Sequence, residues 1–187
     1  MWQYYKACLI HEVSGIKIIE PSGCKLMEHS WYGNADMLRV EKLLSERRHK
    51  VIWMGDYAQC AAFVWWSDLK PEKERDVDYK DDEILQHQDG KVYYLINHTR
   101  CEYINMTAQE NNSGLKDKWD GVIHPLPLLC RADTEEAGGD YHWDINHELQ
   151  GIRCGDEIAV LEVDADRAES FKQLGYTDKT DVYIFKE

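Results

Sequence analysis

The chain lacks any apolar run of about 18 residues, so no membrane-spanning helix is expected. Its opening residues, MWQYYKACLI, lack a basic region followed by an apolar stretch and a small-residue cleavage site, so no signal peptide is expected. There is no Cys-X-X-Cys, no His-Glu-X-X-His, no Gly-X-Ser-X-Gly elbow, no Walker loop and no dinucleotide fingerprint. Those absences remove the common sequence signatures of zinc sites, serine hydrolases and nucleotide binders. The six cysteines, Cys8, Cys24, Cys60, Cys101, Cys130 and Cys154, form no compact framework. They read as reduced thiols in a cytoplasmic protein. The sequons at Asn97, Asn105 and Asn111 are then coincidental.

A basic surplus is also absent. The formal net charge of the 187 residues is −13. Residues 1–70 hold nine Lys/Arg and eight Asp/Glu, so the excess of acid lies in the rest. The stretch 133–169 carries twelve acids against Arg153 and Arg167. Such a field repels nucleic acid and anionic membranes and attracts basic proteins.

What is present suits a single domain over residues 1–187. Hydrophobic residues make up 43% of the chain, with seven Trp and eleven Tyr, enough for a substantial core. Strands are expected over 2–10, over VSGIKIIE, at VIWM, over GDEIAVLEVD and at the closing DVYIFKE. VYYLINHTRCEYINM reads as one long strand or a hairpin turning near His98-Thr99. The segment NADMLRVEKLLSERRHK reads as an amphipathic helix, with Asn34 as N-cap and Met37, Val40, Leu43 and Leu44 as its apolar stripe. ADRAESFKQLG reads as a short helix closed by Gly175. Residues 70–91 are the most polar part and read as a surface loop or insertion. TAQENNSGLKDKWDG is loop-like, and the two prolines of VIHPLPLLCRA argue for an extended segment. The sum is an α+β fold with a mostly antiparallel sheet and a few short helices.

Polar groups recur between aromatic residues and glycines, as ligand pockets require. Glu28, Trp31, Asn34, Trp53, Asn97, Tyr141 and Trp143 are candidates to line one. Two Gly-Asp-Tyr corners, at 55–57 and 139–141, offer Asp56 and Asp140, with His98, His124 and His142, as candidate acid–base groups or metal ligands. The ordinary role of an Asp after Gly is to accept backbone N–H groups in a turn. His98-X-X-Cys101 would put both side chains on one strand face only across a bend.

The segments EHSWYGN (28–34), WMGDYA (53–58), NHT (97–99), HPLPLL (124–129) and GDY (139–141) resemble those of a family of small uncharacterised bacterial and phage proteins. The resemblance spans roughly residues 25–160. It implies a prokaryotic or phage origin and a shared fold, and carries over no catalytic role.

Two functions are compatible with these features. The first is an acidic binding protein of the inhibitor type, immunity or anti-defence-like, which needs no cofactor. It would present Asp133, Glu135, Glu136, Asp144 and Glu148, with the 72–89 loop, to a basic partner such as a nucleic-acid-binding enzyme. The alternative is a small hydrolytic enzyme, with or without a divalent metal, using Asp56, Asp140, His98, His124 and His142.

Overall fold

The computed structural model describes residues 3–23, 25–58, 79–116, 120–132, 141, 146–164 and 170–185. Its centre is one sheet. Strand β1 (Tyr5–His11) turns back through residues 12–14 into β2 (Gly15–Ile19), where Gly15 takes a φ of 80°. A short helix α1 (Leu26–His29) and a longer α2 (Ala35–Glu46) follow, then β3 (His49–Gly55). After residues 79–90 come β4 (Lys91–Asn97) and β5 (Glu102–Asn105), a hairpin with its turn at 98–101. Helices α3 (Met106–Glu110) and α4 (Pro125–Leu129) lead to β6 (Arg131–Ala132). Strand β7 (Glu157–Asp164), helix α5 (Ser170–Gln173) and strand β8 (Thr177–Asp178) complete the order.

The strands are arranged β2-β1-β3-β7-β4-β5-β8, with β6 beside β3. Pairing is antiparallel except for β3–β6 and β5–β8. The architecture is α+β, mostly antiparallel, with a few short helices, as the sequence pattern predicts.

Strand alternation divides the core between two faces. Tyr5, Ala7, Leu9, Val51, Trp53, Tyr93, Leu95, Ile158 and Val160 pack with Met37, Val40 and Leu44 of α2 and with Leu126 and Leu129 of α4. On the opposite face, Cys8, Ile18 and Met54 form one smaller cluster. Tyr94, Ile96, Tyr103 and Phe171 form another.

Helix α2 starts where the sequence places it. Asn34 Oδ1 accepts the backbone N–H groups of Asp36 (2.9 Å) and Met37 (3.3 Å). Three expectations need correction. HPLPLL is helical, not extended: Pro125 stands at the first position of α4 and Pro127 within its first turn, where a missing N–H costs no helical bond. Residues 106–110 form α3, and 113–115 a 3-10 turn, each capped by the preceding asparagine, Asn105 and Asn112. The final residues through 185 add no strand beyond Thr177–Asp178. Instead Tyr183 and Phe185 drop into the core.

Candidate functional site

A charged cluster is buried where α2, α3, α4 and the 79–90 segment meet. Glu41 lies on the apolar stripe of α2, between Val40 and Leu44, and is fully buried. The 79–90 segment crosses α2 as a strap: Leu85 N–H donates to Leu38 O at 3.0 Å, and Arg39 Nη1 to Glu83 O at 2.8 Å. The strap carries His87 over Glu41, with Nε2 2.7 Å from Glu41 Oε2 and Nδ1 3.5 Å from Glu110 Oε2. The His87 ring stacks on Tyr93 at 4.2 Å with an 11° interplanar angle.

From below, His124 is fixed by three features. Its backbone N–H donates to Ser30 O at 2.9 Å, its Nδ1 accepts from Leu126 N–H at 3.1 Å as the cap of α4, and Tyr32 packs on its ring at 4.6 Å. With Nδ1 an acceptor, the neutral ring carries its proton on Nε2. That nitrogen faces Glu41 Oε1 at 3.4 Å, an ion-pair separation without hydrogen-bond geometry, and both atoms are buried without a hydrogen-bond partner.

Electrostatics follow from this packing. Burial opposes charge on His87, but its contacts with Glu110 and Glu41 outweigh it and push the pKa up to about 9. Burial would raise Glu41, yet His124 and His87 hold its carboxyl below the usual range. Near neutral pH the centre is therefore a carboxylate–imidazolium pair. Its buried side is His124, and its partly exposed side is His87 and Glu110. A protonated Nε2 makes His124 a donor and not a metal ligand. Among the described residues no three His, Cys, Asp or Glu side chains are grouped to hold a metal ion.

Of the described residues singled out by sequence, only His124 belongs to this cluster. Asp56 Oδ1 accepts Tyr4 N–H at 3.2 Å while its own N–H donates to Tyr4 O at 3.0 Å, tying its corner to the start of β1. A Cβ on Gly55 would displace the amide end of the Gln3 side chain. His98 receives no such role. Its Nδ1 is 3.0 Å from Tyr176 Oη, and burial with nearby Arg48 lowers its pKa.

Register separates Asp56 from His98. Asn97 is level with Ile158, and Ile158 with His49, whereas Asp56 follows the far end of β3. The seven steps of strand from His49 to Asp56 span about 23 Å at roughly 3.3 Å each. The two side chains thus lie at opposite ends of the sheet.

The candidate pocket residues are mostly scaffold in their contacts. Glu28 accepts Lys25 N–H in a capping box. Trp31 lies against Gly121, where a Cβ would strike its ring. Trp53 is 1% exposed and donates from Nε1 to His29 Nε2 at 2.9 Å. Tyr141 is buried, its hydroxyl 2.6 Å from Ser30 Oγ, whereas Tyr57 of the other corner is exposed. Asn97 spans the β4–β5 turn: Nδ2 donates to Asp156 Oδ2 at 2.8 Å, and Oδ1 accepts Arg100 N–H. Beside it, Glu102, Arg153 and Tyr183 border a cavity of about 20 Å³, room for roughly one water. Asp140, His142 and Trp143, and the partner candidates Asp133, Glu135, Glu136 and Asp144, lie outside the described residues. Glu148 is described and exposed.

The acids of β7 and those of the strap differ in their partners. In and beside β7, Asp156 faces Arg100 and Arg153, Glu157 faces Arg48, and Glu162 and Asp164 share Lys91. Asp81, Asp82 and Asp89 on the strap are exposed, and no described cation stands against them. Sequence reading missed Glu41, His87 and Glu110. For Glu41 a signal existed: a carboxylate on the helix stripe formed by Met37, Val40 and Leu44. Nothing local marks the other two. Among known proteins, no family model, no curated sequence and no solved structure matches this chain.

Proposed function

We propose that this is an acidic binding protein of the inhibitor or immunity type, which engages a basic protein partner through the strap side of the molecule. The observation that carries the reading is the trio of exposed carboxylates Asp81, Asp82 and Asp89, with no cation against them among the described residues, set on a segment that is itself tied to α2. Carboxylates held on a fixed support steer a cationic partner without a large entropic cost on docking. The net charge of −13 supports the same choice of partner and disfavours nucleic acid as the ligand. The β7 acids contribute less to this reading, because lysine and arginine already neutralise them. The hydrolytic alternative draws no support from the placement of Asp56 and His98 at opposite sheet ends.

The test is retention of basic proteins from a bacterial extract on the immobilised protein, at low and high salt. Two variants of equal charge are compared. One carries Asp81→Asn, Asp82→Asn and Asp89→Asn; the other carries Glu12→Gln, Asp120→Asn and Asp181→Asn. Salt-sensitive retention lost only in the strap variant is the expected result. Equal retention by both variants, or none by the wild type, sinks the reading.

A further inference from the structure

The His87 imidazole sits in a small compartment whose walls are made for a planar cation. Tyr93 of β4 supplies a parallel aromatic face at 4.2 Å. Glu41 of α2 and Glu110 of α3 supply carboxylates at 2.7 and 3.5 Å. Behind the Tyr93 hydroxyl stands Glu162 of β7 at 3.1 Å, and beneath Glu41 stand His124 and Tyr32. An imidazolium fills this compartment incompletely. Its two N–H groups diverge, so one reaches Glu41 Oε2 and the other Glu110, while Glu41 Oε1, turned toward His124 Nε2 at 3.4 Å, has no hydrogen bond. A guanidinium has five N–H groups in a fork that matches both oxygens of a carboxylate and also stacks on an aromatic ring.

We propose that this compartment is a binding site for a planar organic cation of the guanidinium class, occupied in this structure by the protein's own His87. The strap is then an internal competitor. Identifying the cation with an arginine side chain of the basic partner rests on the reading above; the site itself does not. Removing only the imidazole leaves the strap seated, because Leu85 N–H to Leu38 O, Arg39 Nη1 to Glu83 O and Gln88 N–H to Tyr93 Oη do not involve it. A His87→Gly variant therefore presents the compartment empty.

The experiment measures the thermal midpoint of wild type and His87→Gly against rising methylguanidinium, imidazole below its own pKa, and pyrazole, which has the same size and stays neutral. A ligand that binds only the folded state raises the midpoint saturably. The expected result is a saturable rise in His87→Gly with methylguanidinium and with imidazolium, none with pyrazole, and none in the wild type. Adding Glu110→Gln at the exposed rim should weaken the rise. No saturable rise, or an equal rise with pyrazole, overturns the proposal. Should His87→Gly fail to fold, refolding yield in methylguanidinium against pyrazole is the readout, and equal yields overturn it. Failure here leaves salt-sensitive partner retention untouched, so the two proposals fall separately.

Discussion

His29 and Trp53 show how a polar pair can look functional in sequence and serve the core. His29 Nδ1–H donates to Gly23 O at 2.7 Å, and Nε2 accepts the indole N–H, so every polar atom of both rings is used. Burial drives the His29 pKa down to about 4, outweighing the backbone of Gly23 and Lys25 and the Glu28 carboxylate, which favour the charged ring. Trp53→Phe removes the indole N–H together with part of the ring, and leaves His29 Nε2 buried without a donor. We expect a loss of about 1–3 kcal/mol in urea denaturation; an unchanged midpoint would refute the structural role. Asp56 is held differently, at an exposed edge, by one backbone N–H of Tyr4. Asp56→Ala should cost about 1 kcal/mol, read from a thermal melt. A much larger loss would mean that the corner carries more than this contact.

At the scale of elements, α4 makes the sharpest contrast between neighbouring residues. Pro125 occupies a helix position that requires no N–H, so Pro125→Ala should change stability by less than about 1 kcal/mol. Leu128 is fully buried, and Leu128→Ala should cost about 2–5 kcal/mol. Chemical denaturation of the pair decides, and equal losses would contradict the placement. Much of the element layout was readable because local chemistry and tertiary burial agree. Asn34 both caps and begins the helix, and the apolar alternation of GDEIAVLEVD is that of β7. The prolines of α4 misled because a first helical turn and an extended segment suit proline equally well. The cluster was not readable for a further reason. His87, Glu110 and His124 lie 46, 69 and 83 residues from Glu41, and only the strap crossing and the α4 cap bring them together.

For the whole molecule, two histidines pull stability in opposite directions with pH. His29 has its folded pKa below the ordinary histidine value of 6.5, so its contribution is full above about 6.5 and is lost as pH falls toward 4. The loss is on the order of 3 kcal/mol. Glu41, also depressed when folded, adds to the acid limb. His87 has its pKa raised, so its contribution is full below about 6.5 and disappears as pH rises through about 9. Its worth is on the order of 2 kcal/mol after allowing for its partly exposed edge. The stability profile should therefore peak near pH 6–7. His87→Gln should flatten the alkaline limb and also weaken the Glu41 part of the acid limb, and an alkaline limb unchanged in urea titrations would dismiss the ion pair as a source of stability. A different consequence follows from where β7 sits. It lies between β3 and β4 in space yet follows both in the chain, supplying seven paired positions to β4 and two to β3. During synthesis, every strand through residue 132 emerges before the one that joins the two halves of the sheet. Until residues 157–164 leave the ribosome, β4 and the His49–Lys50 end of β3 lack the strand that pairs with them. Nascent chains stalled short of 157 should thus be open to chaperones and proteases, and release of the next few dozen residues should close the sheet in one cooperative step.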